Sequence, residues 1–191
     1  MIREEERARH SQKYAVPQNL TESSSFTRKF ISMTDDAELR RQFYQESKAM
    51  LHNRSGTNGE DLKYYNPRLK KWYRSTKGTE AGSPDYNNEI LQGLSEAEPF
   101  ELISFHNHPK GMPPSDVDLN CALQNKYKAG YTIGHNGTIF EYTAPKYYID
   151  GNVYTSRVAS YTEKGYSEFD AQLNALKDLQ GIYQFEFREV K

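Results

Sequence analysis

The sequence predicts a mixed α/β fold, a partly antiparallel sheet flanked by helices, and three observations lead there. Helical and strand periodicities follow one another as helix, strands, strand, helix, strands. An Asn136-Gly137 pair divides an apolar and aromatic run over 131–142, a strong short-range hairpin signal. A short buried-strand run, Phe100-Glu-Leu-Ile-Ser-Phe105, leads through a Pro/Gly turn into an amphipathic stretch.

Each element has its own signal. Residues 1–33 are charged and then Ser/Thr-rich, and read as an arm or short helix plus linker. Asp35-Asp36-Ala37-Glu38 is an acidic helix start, and Leu39, Phe43, Met50 and Leu51 mark one side of a helix over 35–52. Arg54-Ser-Gly-Thr-Asn-Gly59 breaks it. A hairpin follows over 60–74, turning at Asn66-Pro67, then a polar loop over 76–88 and a short helix over 89–94. A helix over 115–129 buries Leu119, Ala122, Leu123 and Tyr127 and stops at Gly130. The tail carries a helix through Phe169, Leu173, Leu176 and Leu179, then an alternating strand over 183–187. The expected organisation is an arm over 1–33, a domain over 34–145 and a helix-strand extension over 146–191 that packs on it.

Bulk properties narrow the function. A chain of 191 residues suits one domain with extensions. Aromatics make up 13%, and 15 Tyr and 9 Phe can fill a compact core. A net charge of −1 supplies no global field for nucleic acid. The local basic run Arg68-Leu-Lys-Lys-Trp-Tyr-Arg74 reads as a solvated hairpin face. No signal core or membrane-length apolar run occurs, and the single cysteine, Cys121, allows no intrachain disulfide, so the expected setting is cytoplasmic, without a membrane partner.

The stretch Ile103-Ser-Phe-His-Asn-His-Pro-Lys-Gly-Met-Pro-Pro-Ser-Asp-Val-Asp118 concentrates the chemistry, with two of the five histidines. Strand alternation turns His106 and His108 to one face and Asn107 to the other. Pro109 ends the strand, a turn brings the chain round, and Asp118 falls in the first turn of the next helix, where it can supply a third ligand. Two imidazoles and a carboxylate leave one position of a tetrahedral Zn2+ open for water, as hydrolytic zinc requires. Ser115-x-x-Asp118 also reads as a capping box that does no more than start a helix. Cys121 reads as core, and His135, beside the Asn136-Gly137 turn, as exposed and idle; His10 and His52 have no partners in sequence.

His106-Asn-His108-Pro109, Gly111, Pro113-Pro114, Ser115 and Asp118 together resemble the metal signature of the JAMM (JAB/MPN) zinc metallopeptidases, most of all their bacterial and phage RadC-like branch. The resemblance covers about 35–145 and its specific residues lie in 106–118. Five residues separate Pro109 from Ser115, fewer than in the eukaryotic deubiquitinating members, so their substrate clamp does not carry over. The resemblance implies zinc held by His106, His108 and Asp118, a serine (Ser115) that stabilises the oxyanion, and a glutamate from an earlier strand as proton-shuttling base. Among Glu60, Glu80, Glu89, Glu96, Glu98 and Glu101, Glu60 fits that glutamate first and Glu80 second; the glycine usual a few residues after it is missing here. The implied reaction is hydrolysis of a peptide or isopeptide bond in a protein or peptide substrate, with ubiquitin-like proteins among the candidates.

Rival readings remain. One is a phage or mobile-element JAB domain acting in protein processing or as a toxin module. Others are a metal-free scaffold and a RadC-like role with nucleic acid. The letters His-Asn-His also invite a nuclease, but that motif spreads its residues over a hairpin and helix.

Overall fold

The computed structural model describes residues 11–78 and 82–191. Six strands form one sheet: β1 (Leu62–Asn66), β2 (Lys71–Ser75), β3 (Ile103–His108), β4 (Ala129–Gly134), β5 (Ile139–Tyr142) and β6 (Phe187–Glu189). They lie in the order β2-β1-β3-β4-β5-β6, and every neighbouring pair is antiparallel except β3 with β4. The helices are α1 (Ser24–Lys29), α2 (Ala37–Arg54), α3 (Asn88–Glu96), α4 (Asp116–Gln124), α5 (Gly151–Glu163) and α6 (Glu168–Tyr183). The one parallel pair needs a crossover, and α4 supplies it.

Strand alternation gives the sheet two apolar faces, each covered by helices. On one, Tyr65, Ile103, Phe105, Tyr131, Ile133 and Ile139 pack against Phe43, Met50 and Leu51 of α2, with Phe26 and Phe30. Phe43 meets Phe105 edge-on at 4.9 Å between ring centres. On the other, Leu62, Tyr64, Tyr73 and Tyr142 pack beneath Ile90 of α3, Leu119 and Ala122 of α4, and Leu176 and Leu179 of α6. This is the predicted mixed sheet flanked by helices. No helix among the described residues is long and apolar enough to cross a membrane.

Several elements differ from expectation for identifiable reasons. Residues 1–10 lie outside the described residues. From Ser11 on, the segment expected as an arm or short helix plus linker forms α1 and buries Phe26 and Phe30 at 1% exposure each. Two aromatics in a Ser-rich stretch suffice to hold it on the sheet. Strand β3 starts at Ile103, three residues later than the apolar run over 100–105, and ends at His108, before Pro109 as expected, with both motif histidines on it. Helix α4 stops at Gln124, well before Gly130, which lies in β4. Lys126 adopts φ 53°, Tyr127 N–H donates to Ala122 O (2.9 Å) and Lys126 N–H to Leu123 O (3.3 Å). That is a Schellman stop with lysine where glycine is usual, and it puts Tyr127 beyond the helix. Helix α5 was not expected, because among its residues only Tyr154 is buried. In the tail, α6 runs to Tyr183 and the last strand begins only at Phe187.

One buried cation ties α2 to the sheet. Lys63 is 2% exposed, and its ammonium donates to Glu46 O (2.8 Å) and Glu46 Oε2 (2.9 Å). Arg74 Nε donates to the same carboxylate (3.1 Å). Burial works to raise the Glu46 carboxyl, but the bonds from Arg74 and Lys63 outweigh it and hold it below its ordinary value. A carboxylate held down in the folded state stabilises the fold above its unfolded pKa and loses that contribution as pH falls. Glu46→Gln is therefore expected to destabilise by about 2–3 kcal/mol at neutral pH by leaving a buried ammonium poorly paired. Urea unfolding of both proteins should find the gap closing as pH drops through and below about 4.3, where the unfolded carboxyl titrates.

Candidate metal centre

The site starts from the alternation of β3. His106 and His108 point to the α4 side, where the lateral neighbour of His106 is Leu62 of β1, a member of that face's core. After Pro109 the chain turns on Gly111, whose φ is +67° and whose N–H donates to His108 O (2.9 Å). A Cβ at Gly111 would lie 2.3 Å from the Asn136 side chain, and Thr138 Oγ1 donates to Gly111 O (3.1 Å). The motif loop is thus seated on the β4–β5 turn, and only glycine fits there. It delivers Ser115 to the N-cap of α4 and Asp118 to its first turn.

The three expected ligands meet. His106 Nε2 lies 2.9 Å from His108 Nε2 and 3.0 Å from Asp118 Oδ1, and His108 Nε2 lies 3.5 Å from Asp118 Oδ2. His108 Nδ1 is 2.8 Å from Met112 O. A carbonyl can only accept, so Nδ1 carries a hydrogen and Nε2 is the atom left facing the cluster, where it can bind a metal once it gives up its own proton. Bonds of about 2.0–2.1 Å to a tetrahedral zinc would set ligand atoms about 3.3 Å apart, close to the separations found. The donor set and its spacing fit one ion, and this is the candidate metal-binding group found among the described residues.

The capping box forms as well, so cap and ligand are not alternatives. Ser115 N–H (2.6 Å) and Ser115 Oγ–H (2.8 Å) both donate to Asp118 Oδ2, and Asp118 N–H donates back to Ser115 Oγ (3.3 Å). Oδ2 serves the helix start while Oδ1 faces His106. Burial would raise the Asp118 carboxyl, but attraction to His106 and hydrogen bonds to both imidazoles hold it well below its ordinary value. Burial pulls the His108 imidazole down, but bonding to Asp118 and the charge of Glu60 reverse this and push it up to about 9.

Glu60 joins the cluster from the next strand. The β1–β3 register pairs Leu62 with His106, and its continuation brings Glu60 level with His108 on the same face. Glu60 is 9% exposed and lines the same cavity as His106, His108, Ser115 and Asp118. Burial raises its carboxyl, partly offset by both imidazoles. Glu80 lies outside the described residues. Glu89 accepts from Arg74 N–H, Glu96 is tied to Tyr73 and Lys71, and Glu101 accepts from Asn66 and Arg68. The cavity holds about 520 Å³, with Tyr86, Tyr127 and Tyr142 on its wall.

Four residues stand differently from expectation. His135 is 2% exposed, not on the surface; its Nδ1 lies 2.6 Å from Tyr14 O and its Nε2 3.0 Å from Asn107 Nδ2. Burial lowers its pKa. Asn107, passed over as the spacer of His-x-His, is completely buried and hydrogen-bonded. Cys121, expected in the core, is only half-buried and lines the cavity, and burial raises its thiol. His52 has a partner after all, Thr21 Oγ1 at 3.1 Å.

The double duty of Asp118 can be separated. Asp118→Asn keeps an oxygen for the cap but takes the carboxylate away from two buried imidazoles, so the metal-free protein should lose about 1–3 kcal/mol by urea unfolding at neutral pH, while calorimetric Zn2+ affinity should fall by about 100-fold or more. Ser115→Ala removes the cap hydroxyl and should cost about 1 kcal/mol in the metal-free protein, read by urea unfolding.

No protein-family model, curated protein or solved structure matches the chain.

Proposed function

We propose that the chain is a JAMM-like zinc hydrolase that cleaves a peptide or isopeptide bond in a protein substrate, with ubiquitin-like proteins among the candidates. The observation that carries this reading is the convergence of His106 Nε2, His108 Nε2 and Asp118 Oδ1 beside a buried glutamate in one cavity. When bound there, Zn2+ supplies Lewis-acid polarisation of a carbonyl and acidifies water. The residues of the chain do the rest. Glu60 accepts a proton from the attacking water and returns it to the leaving amine, so that water is added across the C–N bond. Its burial raises its affinity for that proton above that of an exposed carboxylate. Ser115, on the cavity wall, donates its hydroxyl to Asp118 Oδ2 at rest; because Ser115 N–H holds the same oxygen, the hydroxyl can turn to the carbonyl oxygen as negative charge develops.

A protein substrate is favoured over nucleic acid by the state of the basic hairpin. Arg68, Lys71 and Arg74 are paired with Glu101, Glu96 and Glu46, which leaves little free positive field on that face. A cytoplasmic setting accords with the single cysteine.

Metal analysis should find one zinc per chain in the wild type and in Glu60→Gln, and none in the His106→Ala, Asp118→Ala double variant. Glu60→Gln should lower hydrolysis of a protein or fluorogenic peptide substrate by about 10²–10⁴-fold, the range of a lost general base. Full zinc retention by the double variant would overturn the reading.

A further inference from the structure

Strand β3 carries a third polar side chain between its two imidazoles, and it points the other way. Asn107 is 0% exposed and uses its whole amide. Its Oδ1 accepts from Asp61 N–H (2.8 Å), and its Nδ2 donates to Gly59 O (3.1 Å) and to His135 Nε2 (3.0 Å). His135 can accept there because its Nδ1 donates to Tyr14 O (2.6 Å). Gly59 and Asp61 are the residues on either side of Glu60. One side chain thus grips the main chain immediately before and immediately after that glutamate.

The placement matters because main-chain pairing stops just short of Glu60. The paired register of β1 with β3 runs from Leu62 to Tyr65, and the Asn107 amide takes over where it ends. Arg54 reinforces the grip: it donates to Gly78 O (2.9 Å) and Glu60 O (3.4 Å) and forms an ion pair with the fully buried Asp61. With both flanking peptides fixed, the direction of the Glu60 Cα–Cβ bond is fixed too. An apolar residue at 107 would fill the same volume but leave Asp61 N–H, Gly59 O and His135 Nε2 buried without partners.

We propose that Asn107 is a positioning residue that holds Glu60 over the His106, His108 and Asp118 cluster through the backbone of Gly59 and Asp61. This rests on the reading of Glu60 as proton carrier. The same short strand then fixes both halves of the site: its two outer side chains bind the ion, and the one between them sets the base.

Two variants of the zinc-loaded full chain test it, Asn107→Ala and Asn107→Asp, the latter keeping the acceptor for Asp61 N–H while giving up both donated bonds. Amide hydrogen exchange at Asp61 should rise about tenfold or more in Asn107→Ala, the loss of roughly one buried hydrogen bond. It should stay within about threefold of wild type in Asn107→Asp, and amides of β4 and β5 should be unaffected in both. Chelator competition should find Zn2+ affinity within about threefold of wild type, since no ligand is lost. Hydrolysis should fall about tenfold or more in each variant, yet Asn107→Ala added to Glu60→Gln should cost nothing further, because residues acting as one unit are not additive. Should Asn107→Ala fail to fold, Asn107→Asp carries the test: hydrolysis at the wild-type level would overturn the proposal. It is equally overturned by unchanged exchange at Asp61 in Asn107→Ala, by exchange rising evenly across the sheet, or by full additivity with Glu60→Gln. If the wild type hydrolyses nothing, the hydrolase reading fails, and the exchange and zinc arms still decide whether Asn107 holds this segment.

Discussion

A β-strand can turn two side chains to one face only by turning the one between them to the other, and this constraint organises the molecule around β3. His106 and His108 share the α4 side; Asn107 enters the opposite side beneath the Gly59–Asp61 segment. Neither role could be changed without the other. A shift of one residue in register would exchange the faces, bury two imidazoles against Phe43 and Tyr131, and carry Phe105 and Asn107 to the cavity side. That strand is central, paired with β1 on one side and β4 on the other, so its register is fixed twice.

Around this strand, groups that stabilise the fold also serve the site. The Asp118 carboxylate closes the helix start through Oδ2 and faces His106 through Oδ1. Gly111 permits the turn after His108 and leaves room for Asn136, so the β4–β5 hairpin braces the motif loop. Arg54, the last residue of α2, reaches Asp61, Glu60 O and Gly78 O at once and ties that helix to the approach of Glu60. Buried charges of this kind contribute little net stability against apolar replacements, but they admit few alternative arrangements, and a site of several converging groups needs that restriction.

How much of this was legible in the sequence depends on how local the cause is. His106, His108 and Asp118 could be brought together from sequence because strand alternation and first-turn helix geometry act over a few residues. The two-sided sheet followed from element order, and the β4–β5 hairpin from Asn136-Gly137. Glu60 ranks first because it follows the first helix and a Gly-rich break and enters a strand, which is where the resemblance puts such a glutamate. Helix α5 escaped because among its residues Tyr154 alone is buried, so no apolar stripe appears. Gly130 drew the end of α4 too far because Lys126 takes the left-handed position expected of a glycine. His135 could not be read at all: its partner Tyr14 O is 121 residues away, and a histidine beside a turn gives no local sign of burial. The one available signal was Asn107, since a strand that alternates His-Asn-His must bury a polar side chain in the opposite layer, and a buried amide requires partners.

The chemistry of the donor set bears on which ion the proposed site would take. Calcium and magnesium favour all-oxygen shells and many ligands, and two imidazole nitrogens with one carboxylate oxygen suit neither. The same set suits zinc and its transition-metal neighbours, and geometry then discriminates among them. The two imidazole nitrogens face each other at 2.9 Å, and His108 is locked by Met112 O, so the donors are drawn into a compact group with little freedom to spread. Cis donors on a six-coordinate ion lie about 3.0 Å apart and donors on a tetrahedral zinc about 3.3 Å, and the separations of 2.9, 3.0 and 3.5 Å span both. Donor type therefore excludes the all-oxygen ions, and the spacing of the three donors leaves the choice among transition metals to the number of further ligands the cavity admits.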